Sequence, residues 1–447
     1  MLRFVLILTM CFLYILNSFF DNEALYVFYN LLAIGVFFSI WTSLEKNAKI
    51  FTFTLIGLGV AINYAFTGEA FAIFQGITRN MPLLAILILA PLLSIPLKRE
   101  GIIDSTVSYL DGLKSNPRNI FYGLSSVMVV ISPILNMGAL RIVHGLVENI
   151  KIAPKVLSKS YFIGFTPSII WSPFFASVGI VIFYLDITYI SYLPVGITFA
   201  LIQLFCGLLL FRPKSAGKGG AVAAIKADGD DKQRKHTFML ISYVLLIIFL
   251  LLSLEQWLHK SMLLLVSILC VFVALVWFLL RGTKNIFRKE LFLFKDKVLT
   301  QTKTEICLFL SAGVFGHAIS LTPVKTVIEQ SMLWASFHSI GVLFVLIVSC
   351  VILLAMLGVH QIITVPLVLT SIISADILIH PSIIAFMCIF SWMISSALSP
   401  LNAMNIIISA CVKRNGVTVA FRWNGAFFLF TACAALMYVY LLEFILV

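Results

Sequence analysis

Four polar runs interrupt long apolar stretches of this chain, and their residue types suit ion and anion binding. They are Ser132-Pro133-Ile134-Leu135-Asn136-Met137-Gly138, then Gly164-Phe165-Thr166-Pro167-Ser168 continuing to Ser172-Pro173, then Gly358-Val359-His360-Gln361, and last Ser395-Ser396-Ala397-Leu398-Ser399-Pro400-Leu401-Asn402. Pro and Gly interrupt a helix's backbone hydrogen bonds, so each run predicts a broken membrane segment that is buried or lines a wet cavity. A break leaves N–H groups at one half-helix and C=O groups at the other. The positive N-terminal ends suit a carboxylate or oxyanion. The carbonyls suit Na+. Ser, Thr, Asn and Gln add neutral donors and acceptors. The candidate substrate-binding residues are therefore Ser132, Asn136, Thr166, Ser168, Ser172, His360, Gln361, Ser396, Ser399 and Asn402, with Arg141 beside them. A candidate Na+ region takes Asn136, Gly138, Thr166, Gly358 and Ser396. The plainer alternative is packing, because small residues let membrane helices approach closely.

Arg141 and His144 stand three residues apart, on one helix face. Ionisable groups inside a membrane are costly and usually functional. Arg141 can attract an anion, snorkel to the surface, or pair with Glu148. His360 can donate to substrate, titrate with coupled protons, or be a hydrogen-bonded polar residue. No Asp or Glu falls within the four runs, which favours Na+ over H+ as the coupling ion.

The elements that must position these residues follow from composition. With 61% apolar residues, 11% charged and mean hydropathy +1.08, the chain is not a soluble globule. Apolar runs long enough to cross about 30 Å of hydrocarbon recur throughout. Eleven spans are expected near 3–20, 25–43, 51–66, 81–97, 156–185, 192–212, 237–256, 261–281, 305–321, 382–411 and 418–445. Two further stretches, 119–150 and 339–374, break near their middles and are expected to be re-entrant hairpins. The net charge of +12 collects in loops, the positive-inside pattern, and not in a nucleic-acid patch. The eight cysteines are scattered singly through apolar sequence, so they are read as small core residues.

The two halves echo each other. Shifting residues 150–180 by 227 positions gives 8 identities in 31, including Pro154 on Pro381, Ser172-Pro173 on Ser399-Pro400 and Ala176 on Ala403. Such repeats, with interrupted apolar segments in matching places, point to a secondary transporter. Loops 213–236 and 282–304 are Lys/Arg-rich and belong on the cytoplasmic side. The hairpins then enter from opposite faces, the N-terminus is inside and the C-terminus outside. The expected fold is an all-α polytopic membrane protein with two inverted repeats. It divides into an extra N-terminal span (1–24), a first repeat (25–212), a cytoplasmic linker (213–236) and a second repeat (237–447). Segment 98–118 is amphipathic and expected along the cytoplasmic interface, with 322–338 its outer counterpart. Asp228, Asp230 and Asp231 are read as a solvated charge run. The expected location is the inner, cytoplasmic membrane of a bacterium.

This pattern resembles the ion transporter superfamily: divalent anion–sodium symporters, arsenite permeases and the large membrane subunit of tripartite periplasmic transporters. The resemblance lies in architecture over about residues 25–445, and less in motifs. Where the sodium–dicarboxylate branch carries Ser-Asn-Thr at each hairpin tip, this chain has Leu135-Asn136-Met137 and Val359-His360-Gln361. Ser399-Pro400-Leu401-Asn402 is similar to that branch's Pro-Asn pair with one residue inserted, whereas Ser172-Pro173-Phe174-Phe175 lacks the Asn. The resemblance implies a dimerising scaffold domain and a transport domain that slides as an elevator. It leaves open an extracytoplasmic binding protein as partner. The function expected is secondary transport of a small organic anion, coupled to Na+ (or H+), without a cofactor and without enzymatic activity. The alternatives are a lipid or polyprenyl-phosphate translocase on the same scaffold, or a membrane-embedded glycosyltransferase or polymerase. The latter class needs acidic catalytic residues or a large outer loop, and no HExxH or DDxxD is present.

Overall fold

The computed structural model describes residues 2–68, 76–108, 117–148, 152–211 and 230–446, and every regular element among them is helical. The protein is an all-α polytopic membrane protein. Eleven helical segments are long and apolar enough to cross a membrane. The count equals the sequence expectation, but the membership differs. Arg118–Leu135 qualifies by length, although the sequence assigned it to a hairpin arm. The span expected at 305–321 is instead half of a pair, Lys303–Ile319 and Pro323–His338, bent by 81°.

By compactness the chain forms two units, each drawn from both halves of the sequence. The first comprises Met1–Leu93, Lys260–Trp334 and Ile362–Ile377. Its helices are α1 (Leu2–Phe20), α2 (Glu23–Trp41), α3 (Lys46–Thr67) and α4 (Met81–Leu89), which runs into a 3-10 turn at Ala90–Leu93. α5 (Ser94–Arg99) and α6 (Ile102–Ser108) follow in the second unit. The rest of segment 98–118 up to residue 116 lies outside the described residues.

The second unit comprises Ser94–His259, Ala335–Gln361 and Leu378–Val447. From the first half of the sequence it takes α7 (Pro117–Leu135), α8 (Met137–Val147), α9 (Pro154–Trp171), α10 (Ala176–Leu185), α11 (Tyr189–Leu210) and α12 (Asp230–Leu258). α12 starts inside the stretch expected as a linker, so residues 230–236 are its first turns; residues 212–229 lie outside the described residues. The first unit resumes with α13 (Met262–Arg281), α14 (Lys284–Gln301), α15 (Lys303–Ile319) and α16 (Pro323–His338), which passes into the second unit after Trp334. α14 corrects the expectation of a loop over 282–304. Its Thr283 side chain accepts from Ile286 N–H and caps an uninterrupted helix-forming run.

α17 (Ile340–Met356) belongs to the second unit, and α18 (Gln361–Ser374) crosses from it into the first after Gln361. The second unit ends with α19 (Pro381–Leu398), α20 (Ala403–Val412), a π-helical turn at Thr418–Trp423 and α21 (Asn424–Leu446).

The displacement of 227 that aligns the sequence also aligns helix limits in this unit. α9 and α19 are both 18 residues and start at Pro154 and Pro381; α10 and α20 are both 10 residues and start at Ala176 and Ala403. Asp186 and Lys413, which close α10 and α20, both take a left-handed conformation, with φ 51° and 52°. α9 packs on α7 and α19 on α17, while α9 and α19 touch each other. Gly164 lets α9 approach α7, because a Cβ there would stand 2.5 Å from Ser125 O.

Candidate functional site

Every candidate residue lies in the second unit. The breaks are narrower than the polar runs suggested. Pro167 lies inside α9, which continues to Trp171, and Pro133 lies inside α7, which continues to Leu135. A proline removes one donor without ending a helix that tertiary packing holds on both sides. The breaks themselves are Asn136, Ser172–Phe175, Leu357–His360 and Ser399–Asn402.

At the first tip, Asn136 has φ 50° and ψ −140°, a conformation that glycine adopts readily and other residues rarely. Two side-chain bonds offset that strain. Its Oδ1 accepts from Met137 N–H at 2.7 Å, capping α8, and its Nδ2 donates to Phe174 O at 3.2 Å. Ser172 latches the tip to the broken span: its Oγ donates to Pro133 O at 2.8 Å and accepts from Phe174 N–H at 3.3 Å. The second break repeats this bonding. Ser399 Oγ donates to Ala355 O at 2.7 Å and accepts from Leu401 N–H at 3.3 Å. At the second tip Gly358 takes φ 90°, as a residue without Cβ can.

The second cluster is the more polar. Gln361, buried at the start of α18, donates to Ser395 Oγ at 3.0 Å and accepts from Asn402 Nδ2 at 2.9 Å. Asn402 Oδ1 in turn accepts from Met404 N–H at 3.2 Å and caps α20. His360 stands beside Trp392, ring centroids 6.3 Å apart. Ser168 and Ser396 are buried within α9 and α19. Ser132 is fully buried, and its Oγ has no partner among the described residues. An orphaned buried hydroxyl calls for an explanation, such as a ligand or water.

Thr166 joins a third group. Its Oγ1 donates to Phe162 O and accepts from Gln203 Nε2 at 3.0 Å, and the same Nε2 lies 3.6 Å from Met393 Sδ. Thr166 and Met393 are themselves 227 positions apart, so Gln203 bridges equivalent points of α9 and α19. Arg141 is exposed on α8, and His144 Nδ1 pairs with Tyr161 Oη at 3.1 Å. Gly138 lies in the first turn of α8 with open space where a Cβ would stand.

Carbonyl accounting changes the expectation about cations. The last four carbonyls of α9 and its cap are all bonded within the protein. Ile169 O accepts from Ser177 Oγ, Ile170 O from Tyr192 Oη, Trp171 O from Tyr189 Oη and Ser172 O from Phe175 N–H. Within the break itself, Phe174 O accepts from Asn136 Nδ2 and Phe175 O from Gly179 N–H. At the end of α19, Asn405 Nδ2 serves Ala397 O and Leu398 O, and Asn402 N–H serves Ser399 O. Ser396 O alone of this set has no partner among the described residues, because Met404 stands where the first repeat has Ser177. The N-terminal ends of α8 and α20, each capped by an Asn, keep their positive polarity.

Sequence reasoning missed Gln203, Asn405 and Glu255. The first two are single amides in apolar helices, a recognisable signal once polar residues at membrane depth are treated as costly. Glu255 is the lone acid in the apolar run of α12. It is buried, and its carboxylate accepts from Tyr189 N–H at 2.7 Å and Ile190 N–H at 3.4 Å at the start of α11. It ties α12 to the helix whose tyrosines cap α9. Among the described residues, no three His, Cys, Asp or Glu side chains converge to hold a metal.

No protein-family model matches the chain, and comparison with curated proteins finds no match.

Proposed function

We propose that this protein is a secondary active transporter for a small organic anion, coupled to Na+, with the paired breaks of the second unit as its substrate site. One observation carries the reading. Two segments 227 positions apart are broken at the same place, latched by the same serine bonds, in a single unit rich in buried polar side chains. Irregular backbone at membrane depth is tolerated where it serves a cavity or a partner, and paired interruptions mark transporter sites. In this reading the N-terminal ends of α8 and α20 receive the anion, with Asn136, Gln361 and Asn402 orienting it. Ser396, whose carbonyl is unengaged, is the first ligand to test for Na+. The resemblance to the ion transporter superfamily favours elevator-type movement, a dimer and inverted repeats.

The test is thermal stability of the purified protein in NaCl against choline chloride at matched ionic strength, with a panel of small carboxylates and oxyanions. A ligand that binds only the folded state raises the melting temperature. Stabilisation by Na+, increased further by one anion class, supports a symporter. No response to Na+ or to any anion refutes the proposal.

A further inference from the structure

α14 is not among the helices long and apolar enough to span a membrane, and it serves none of the four breaks. Seven of its eighteen residues are charged: Lys284, Arg288, Lys289, Lys295 and Lys297 against Glu290 and Asp296. One side is fixed to the first unit. Phe294 and Val298 are buried, and Phe294 meets Phe4 of α1 edge to face at 5.7 Å. The rest of the helix presents large apolar side chains outward: Phe292 is 62% exposed and Leu293 49%. These sit among the basic residues, and Lys295 Nζ lies 4.4 Å from the Phe292 ring centroid. Neighbouring elements of the same unit extend the basic surface. Lys303, at the start of α15, donates to Ser43 O beside the α2–α3 turn, and Arg3 donates to Thr42 Oγ1 in that turn. Lys49 stands over Trp41 at 5.8 Å.

Exposed aromatics mixed with lysines fit neither bulk water nor hydrocarbon. They fit the layer between, where apolar groups enter the acyl boundary and cations meet anionic headgroups. We propose that α14 lies along the membrane surface and binds anionic phospholipid. Phe292 and Leu293 seat the helix, while Arg288, Lys289 and Lys297 engage the headgroups. The partner follows from charge complementarity, five basic residues against two acidic along α14.

The test uses the full-length protein in nanodiscs of phosphatidylcholine alone or mixed with phosphatidylglycerol, melted at low and high salt. Phosphatidylglycerol is expected to raise the melting temperature of the wild type, and high salt to reduce that rise. The variant R288Q/K289Q/K297Q is expected to lose most of the rise, and K289R/K297R to keep it, which separates loss of charge from misfolding. F292S/L293S is expected to weaken the response without changing the oligomeric state. An equal rise in wild type and triple variant, or no rise in either, overturns the proposal. So does dissociation of an oligomer by F292S/L293S, which would assign this face to a second copy of the chain.

Discussion

If Ser172 and Ser399 are equivalent latches, removing either hydroxyl should destabilise the fold, by an amount set by what else its acceptor carbonyl keeps. Each Oγ is buried, donates one bond of 2.8 or 2.7 Å to a carbonyl near the end of α7 or α17, and accepts a weaker one of 3.3 Å. In Ser172→Ala, Pro133 O loses that bond in a proline-interrupted last turn of α7. In Ser399→Ala, Ala355 O keeps a bond from Gly358 N–H at 3.1 Å, so its loss is the milder of the two. A lost buried bond with an orphaned acceptor costs about 1–3 kcal/mol, so Ser172→Ala belongs in the upper part of that range and Ser399→Ala in the lower. Ser253→Ala is the control, since that hydroxyl is exposed and bonds only to Phe249 O within its own helix; it should cost less than about 0.5 kcal/mol. Thermal unfolding in detergent, followed by intrinsic fluorescence, reads all three. Both latch variants melting with the control would refute the latch. A loss in Ser399→Ala alone would refute the equivalence of the two breaks.

Other perturbations separate backbone from side chain. Asn136→Ala should be less stable than Asn136→Gly by about 1 kcal/mol, because both lose the cap but only alanine keeps the strain at φ 50°; relative melting temperatures check this. Gly164→Ala should destabilise by at least about 1–3 kcal/mol, since its Cβ would meet Ser125 O and Met128 Cβ, whereas Gly35→Ala, in open space, should be neutral or slightly stabilising. Glu255→Gln keeps one acceptor for Tyr189 N–H and should cost about 1 kcal/mol, with Glu255→Ala costing about 2–3, both measured by thermal unfolding.

Much of this fold is legible in the sequence because membrane spans are long and apolar, and because the repeat left Pro154, Ser172-Pro173 and Ala176 in register with their counterparts. What escaped was set by tertiary partners. Pro167 reads as a breaker, yet α9 passes through it, since its neighbours on α7, α11 and α19 hold the helix. The carbonyls after it read as free, yet Ser177, Tyr189 and Tyr192, up to 22 residues away in sequence, reach back to them. A run of alternating charge and apolar residues at 284–301 reads as a basic loop when only its charges are weighed; its helical spacing became evident only against α1.

Transport itself tests the central claim most directly. The purified protein would be reconstituted in liposomes with a Na+ gradient and supplied with a mixture of small carboxylates and oxyanions, and the accumulated solutes identified by mass spectrometry. The expected result is accumulation of one anion class by the wild type, dependent on the Na+ gradient. Asn136→Ala and Asn402→Ala should lose it while remaining folded and inserted. Full accumulation in both variants would contradict the site, and no gradient-driven accumulation of any anion by the wild type would contradict the function.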